Sequence, residues 1–354
     1  MQRVMVAGLS AWLLSGCVTM PAVTPLPATD VPAIVETDPV GTAARDAAND
    51  PAIWRNPANP AASLIVGTDK RAGVYVYGLD GRTRSFVAAG EVNNVDLREG
   101  VMLGGRRIIL VGASNRNSLT EPRLSLFTLD GASGQIADLA SFATGTSGEA
   151  YGFCFGRHLP GLPRAYIVTK QGEALEFVLS EGADGVPVIR LARRFGVSTQ
   201  PEGCVVDDRT GQLYLGEEDV GIWRFDLTAE TPVAIPFAMV GSEDGLVADV
   251  EGLALAPDGA RGGMLVASSQ GDNAYALFDL ETGTLRGRFR INGGAIDGTF
   301  DTDGIELALG DFGPQFPGGL FVAQDGNNLP AAQNFKYLSW AEVRAALGMA
   351  PTPR

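Results

Sequence analysis

The sequence predicts an all-β fold, a six-bladed β-propeller followed by a short C-terminal helix, on three observations. Six times an acidic residue stands just before a short apolar run, at Asp50, Asp96, Glu149, Glu202, Glu251 and Asp303, so the interval is 46 to 53 residues. That spacing is the size of a propeller blade. The 354 residues include 46 Gly and 21 Pro, which punctuate many short runs of alternating apolar character. No sustained helical periodicity occurs before the C-terminus.

Taken in order, the chain opens with MQRVMVAGLSAWLLSGC, where Arg3 precedes an apolar stretch ending in Leu14-Ser15-Gly16-Cys17. This has the form of a lipoprotein signal peptide over residues 1–16, with Cys17 as the lipidation site. The apolar stretch is short for a membrane span, so membrane contact is expected only through that lipid anchor. The location implied is the cell envelope, as an outer-membrane or periplasmic lipoprotein if the cell is Gram-negative. Residues 17–36 read as a Pro-rich tether, and residues 37–350 as the propeller.

Each propeller unit resolves into short strands. DPAIWRN, SLIVGTD, GVYVYGLDG and TRSFVAAG form the first, and five further units repeat the scheme. The sixth, with GIELAL, GLFVAQDG and NFKYLSW, lacks a fourth strand. Residues 32–46 can supply it and close the ring, removing exposed edges. After Ser339, a Ser-x-x-Glu capping box with Glu342 predicts a helix over residues 339–348.

The two first strands of a blade form an antiparallel hairpin, so the start of strand one and the end of strand two share one end. One mouth of the channel should therefore collect two rows. The first holds Asp50, Asp96, Glu149, Glu202, Glu251 and Asp303. The second holds Lys70, Arg116, Lys170, Glu217 with Glu218, Gln270 and Asp325. Charge is segregated between them. Blades one to three bring Lys70, Arg71, Arg116 and Lys170, whereas blades four to six bring Glu202, Glu217, Glu218, Asp249, Glu251, Asp303 and Asp325. Clustered carboxylates are hard oxygen ligands suited to Ca²⁺, and the facing cations suit phosphate oxygens.

Other chemistries lack support. A formal charge of −14 argues against nucleic-acid binding. The single histidine, His158, sits in a loop-like RHLPG, and one His without a Cys pair of ligand spacing argues against zinc. Neither a P-loop nor a G-x-S-x-G elbow occurs. Cys154 and Cys204 each lie in an apolar strand and read as buried free thiols rather than a disulfide framework.

The strings NDPAIW, GTDKRAGVYVY, NNVDLR, ASNR, YGF, TKQGE, QPEGCVVDD, GEED, DVEGL, ASSQG, DTDGI, GLFVAQDG and QNFK, in this order over residues 45–337, resemble the β-propeller phytases, which are alkaline, Ca²⁺-dependent phytate phosphatases. The resemblance implies a six-bladed propeller with several Ca²⁺ ions. Catalytic ligands would include Glu202, Glu217, Asp249, Glu251 and Asp303, with Glu218 open as the alternative to Glu217. Asp50, Asp96 and Asp325 match segments tied to further, partly structural calcium. Phosphate contacts would come from Lys70, Arg71, Arg116, Tyr151 and Lys170, joined by Gln270. A second phosphate of the same substrate would rest near Arg71 and Asn94. Three segments depart from the pattern: Asn49-Asp50-Pro51 stands for Asp-Asp-Pro, Lys170-Gln171 for Lys-Glu, and Asn327 for the Glu of Gln-Asp-Gly-Glu-Asn. Each loses a carboxylate, so fewer or weaker calcium ions are expected.

The expected reaction is removal of phosphate from phytate (myo-inositol hexakisphosphate), free or as its calcium complex, in the manner of a 3-phytase. A water activated by Ca²⁺ attacks phosphorus directly, and the chain is expected to act as a monomer. Two rival readings are a calcium-dependent lactonase or phosphotriesterase on the same propeller and a non-catalytic binding propeller of the envelope. Neither has a use for cations ranged opposite the carboxylates.

Overall fold

The computed structural model describes residues 23–350 apart from 44, 45, 184 and 242. The expected signal peptide and Cys17 lie outside the described residues. Six sheets are built from successive stretches of chain. Blade 1 runs Ala48–Trp54, Leu64–Asp69, Gly73–Gly78 and Thr83–Ala88, and blade 2 runs Val92–Leu103, Arg106–Asn115, Arg123–Asp130 and Gln135–Ala143. Blade 3 comprises Ala150–Gly156, Arg164–Thr169, Glu173–Glu181 and Pro187–Gly196. Blade 4 comprises Pro201–Asp207, Gln212–Glu217, Gly221–Asp226 and Ile235–Met239. Blade 5 follows with Val250–Asp258, Gly262–Ser269, Ala274–Asp279 and Leu285–Ile291, and blade 6 with Ile305–Leu309, Gly319–Asp325 and Asn334–Ser339.

The first strand of each blade packs against the first strand of the next, and that of blade 6 packs against blade 1. The ring is therefore closed. Burial follows position: Leu64–Asp69 is buried throughout, whereas the outer strand Thr83–Ala88 alternates toward exposure. Six apolar clusters fill the structure, one at each seam between neighbouring blades. Each blade thus buries its faces only against its neighbours, which makes closure a condition of stability.

Val35–Glu36 pairs antiparallel with Asn334–Ser339 and gives blade 6 its fourth strand, as the unpaired edge required. Thr29–Val31 adds in parallel to the outside of blade 5. The stretch read as a tether to residue 36 is thus part of the propeller from Thr29 onward. Its few residues satisfy backbone groups that open edges would leave unpaired. The C-terminal helix runs Trp340–Ala346, with Trp340 and Val343 buried. Ser339 stands at its N-cap, but its side chain makes no capping bond, so the expected capping box does not form. Packing of Trp340 into the seam between blades 5 and 6 holds the helix instead.

The two inner cysteines also depart from the sequence expectation of free thiols. Cys154 and Cys204 form a disulfide with Cα atoms 5.7 Å apart. Their separation of 50 residues is itself one blade repeat. It puts them on adjacent first strands, where side chains of neighbouring blades meet.

Candidate active site

Strand register decides which residues share the channel mouth. Pro51 pairs with Gly67, Val95 with Ala113, Phe153 with Ile167, Cys204 with Leu215, Leu253 with Ala267 and Ile305 with Ala323. In blades 1 to 5 the ladder is irregular just before these pairs, a bulge that re-aims side chains at the rim. Two positions earlier stand Asn49, Asn93, Tyr151, Glu202, Glu251 and Asp303. Three positions beyond the strand-two partners stand Lys70, Arg116, Lys170, Glu218, Gln270 and Gly326.

The six acids of the regular beat therefore do not form one ring. Glu202, Glu251 and Asp303 are equivalent, but Asp50 lies one position too deep, Asp96 three, and Glu149 two positions too far out. The Asp50 Oδ2 atom accepts the Val95 N–H of blade 2 at 2.9 Å. The Asp96 Oδ2 atom accepts the Phe155 N–H of blade 3 at 2.8 Å, and its carboxylate pairs with Arg98 at 2.7 Å. Both carboxylates are engaged in joining blades. Asn94 is one position further along the strand than Asn93, and its amide reaches the same cluster, against Asn49, Asn93 and Glu202.

Glu217 and Glu218 separate cleanly. Glu217 is buried, and its Oε1 accepts from the Ser198 N–H at 3.1 Å, the Thr199 N–H at 2.6 Å and the Thr199 hydroxyl at 2.5 Å. Its Oε2 accepts from the Trp223 indole at 2.6 Å. Glu217 is therefore a structural acceptor, and Glu218 occupies the rim position equivalent to Lys70, Arg116 and Lys170. Glu202, Glu218 and Glu251 bring one carboxylate oxygen each within 4.8 Å of the others, the single such group among the described residues.

This trio is electrostatically costly without a cation. Burial and then the charges of Glu202, Asp303 and Glu218 push the Glu251 pKa well above its ordinary value. Glu251 Oε2 is buried with no hydrogen-bond partner. Burial raises Glu218 to about 7, with Glu202 and Asp249 adding to it against the lowering bond from Gln200. Asp249 is also raised, by burial and then by Asp219. An orphaned oxygen among converging carboxylates fits a hard divalent ion.

Asp303 joins the two arcs. Its Oδ2 accepts from Lys70 Nζ at 2.9 Å and its Oδ1 from Gln270 Nε2 at 2.8 Å. Burial raises Asp303 to about 6, since the lowering contact with Lys70 does not outweigh burial together with Glu202. Lys70 Nζ also donates to Asn49 Oδ1 at 3.1 Å and pairs with Asp46. Burial disfavours its charge, but Asp303, Glu202 and Asp46 more than compensate and lift its pKa, so it stays cationic.

On the opposite arc, Arg116 and Lys170 both face Glu149 Oε1, at 3.5 and 3.6 Å. Lys170 Nζ lies 4.5 Å above the Tyr151 ring centre. Burial, then Glu202 and Glu251, raise the Tyr151 pKa, so its phenol remains a hydrogen-bond donor. Arg71 is half-exposed and pairs with Asp46 at 3.2 Å. Asp325 belongs to neither arc. It is buried, accepts from the Phe300 and Asn327 N–H groups, and lies 3.4 Å from Lys336. A cavity of about 400 Å³ lined by Asp46, Gln270, Asp303 and Asn328 opens at this mouth, while larger cavities elsewhere lie away from the carboxylates.

The Phytase family model matches residues 4–352. The chain belongs to the phytase family. It is 38% identical over 335 residues to the 3-phytase of Bacillus subtilis (strain 168), covering 91% of this chain and 86% of that protein. A solved chain titled "Crystal Structure of Mitotic Checkpoint Complex" aligns over 95% of this chain and 87% of its own with a TM-score of 0.48 at 14% identity. Within this family member the sequence reading missed Asn49 and Asn93, whose side-chain amides donate to Glu202 Oε1 at 3.2 and 2.8 Å. Sequence spacing does not reveal them, because the hairpins differ in length; they match Tyr151 only by strand register, two positions before the paired residues Pro51, Val95 and Phe153.

Proposed function

We propose that this chain releases phosphate from phytate with Ca²⁺ held by Glu202, Glu218 and Glu251, and with Asp249 and Asp303 beside them. The observation that carries the reading is the meeting, on one rim, of that trio with Lys70, Arg116, Lys170 and Tyr151. Calcium, when bound there, supplies Lewis-acid polarisation of a water and of phosphoryl oxygens for in-line hydrolysis. The protein's own groups do the rest. The Tyr151 phenol, kept protonated, donates to a phosphoryl oxygen. Arg116 and Lys170, which share Glu149 as an ion-pair partner, offset charge that develops on the transferring group. Lys70, locked between Asn49 and Asp303, fixes the cation arc against the carboxylate arc. Arg71, half-exposed beyond Lys70, is placed to meet a second phosphate of the same ring. Cys154 and Cys204 are bonded to each other and offer no thiol nucleophile.

Phosphate release from phytate, followed against added Ca²⁺, tests the reading. Activity should vanish in excess EDTA and return with Ca²⁺. Full activity in EDTA would overturn it, and turnover of lactones or paraoxon in preference to phytate would favour the rival propeller hydrolase. The buried disulfide accords with export to an oxidising compartment, and the N-terminal sequence with lipidation at Cys17. Loss of metabolic palmitate labelling in Cys17→Ser, with the protein shed from membranes, is the expected result.

A further inference from the structure

The seam between blades 3 and 4 is where the cation arc meets the carboxylate arc, since blade 3 carries Tyr151 and Lys170 and blade 4 carries Glu202 and Glu218. At the two preceding seams a carboxylate stitches first strand to first strand: Asp50 to the Val95 N–H and Asp96 to the Phe155 N–H, at 2.9 and 2.8 Å. In blade 3 the position of Asp50 is taken by Gly152 and that of Asp96 by Cys154. The stitch becomes covalent, Cys154 to Cys204. Gly152 lets the strands approach closely, because a Cβ there would collide with the Glu202 carbonyl oxygen. Both cysteines are buried, and they follow Tyr151 by three residues and Glu202 by two. The crosslink therefore lies directly beneath the pair that faces the phosphoryl group and the ion.

Glu202, Glu218 and Glu251 crowd together on blades 4 and 5, so the alignment of Glu202 with Tyr151 has to be set from the other side, at the seam with blade 3. A covalent crosslink fixes that distance more tightly than a hydrogen-bonded stitch. We propose that the Cys154–Cys204 disulfide is a positioning crosslink: it holds Glu202 in register with Tyr151, so that the carboxylate trio is preformed for the ion and aligned with the phosphate-binding arc. This rests on the calcium-phosphatase reading of the same site.

The test replaces Cys154 and Cys204 together by Ala and measures Ca²⁺ binding by titration calorimetry at a temperature where the variant is folded, with KM for phytate alongside. Groups that orient metal ligands typically control affinity by about 10–100-fold. The Kd for Ca²⁺ should accordingly rise at least about tenfold and KM should rise with it. Val343→Ala, in the distant C-terminal helix, should lower Tm and leave both unchanged. If the Ala pair does not fold, Cys154→Val with Cys204→Ala keeps the apolar volume and takes its place. A lower Tm with unchanged Kd and KM would overturn the proposal and leave the disulfide purely stabilising. Wild-type protein that gives no Ca²⁺ heat and works in EDTA would overturn the calcium reading instead, and the crosslink would then be judged on KM alone.

Discussion

Exchanging Glu218 and Glu217 for Gln, one at a time, should give opposite results in stability and in metal response. Glu218 belongs to the convergent trio and is raised to about 7 by burial, Glu202 and Asp249. Glu218→Gln removes one of three charges facing the ion, and a tenfold to hundredfold loss of affinity is expected. At a Ca²⁺ concentration about 100 times the wild-type Kd, the ion stabilises the fold by about 2.7 kcal/mol. Tenfold weaker binding reduces this to about 1.4 kcal/mol and hundredfold weaker binding to about 0.4 kcal/mol. The metal-free variant should melt no lower than wild type, because a repelling carboxylate has gone. Glu217→Gln does the reverse. Its four donors, from Ser198, Thr199 and Trp223, would meet an amide that can accept at only one atom. With the amide oxygen kept toward Ser198 and Thr199, the Trp223 indole N–H is left against an NH2 group, an unpaired buried donor costing about 1–3 kcal/mol, so Tm falls by several degrees while Ca²⁺ still shifts it normally. Thermal melting with and without Ca²⁺, paired with phosphate release, reads both. Loss of the Ca²⁺ shift in Glu217→Gln with its retention in Glu218→Gln would refute the placement of the trio.

Four further outcomes are expected. The Ca²⁺ affinity should fall as pH drops from 8 to 5.5, since Glu218 at about 7 and Asp303 at about 6 hold protons that the ion must displace. Because folding raises these carboxyl pKa values, metal-free protein loses their contribution as pH rises from about 4.5 to 7, and a metal-free Tm that climbs across that window would contradict the assignment. Tyr151→Phe keeps the ring under Lys170 but deletes the phenolic donor, so kcat should drop roughly 10²-fold with little change in Tm. An unaltered kcat would remove Tyr151 from the chemistry. Gly152→Ala drives a methyl into the Glu202 carbonyl and should destabilise by more than about 3 kcal/mol or abolish soluble expression. Wild-type melting of that variant would mean the seam is looser than drawn.

The blade count was legible because strands one and two are buried on both faces and end in turn residues, so each unit leaves the same apolar punctuation. Register was not. An acid before a strand marks a blade but not a position within it. The bulge in strand one of blades 1 to 5 moves residues between rim, wall and seam without altering the apolar pattern. Asp50 and Asp96 fall to the wall for this reason, and Asn49 and Asn93 take the rim. The Glu217–Glu218 ambiguity is of the same kind. Counting from the strand-two partner, as Lys70, Arg116 and Lys170 require, selects Glu218. The disulfide escaped because two cysteines one blade apart look unrelated until the ring is closed.

Asn49 shows how the departures from the family pattern act. It stands at the rim position that Glu202, Glu251 and Asp303 occupy in their own blades, and it carries an amide where the resembled pattern has a carboxylate. The amide works in both directions: Nδ2 donates to Glu202 Oε1 at 3.2 Å, and Oδ1 accepts from Lys70 Nζ at 3.1 Å. A carboxylate there would repel Glu202 and draw Lys70 further from Asp303. The amide instead relays between them, so Glu202 gains a donor and Lys70 keeps its contact with Asp303. On the calcium reading, Asn49 offers an ion one charged ligand fewer, while its amide ties Glu202 to Lys70. The segregation of the rim into two arcs therefore does not depend on a full complement of acids. It depends on neutral relays at the two places where the arcs touch: Asn49 beside Lys70 and Asp303 at one seam, and the Cys154–Cys204 bond beneath Tyr151 and Glu202 at the other.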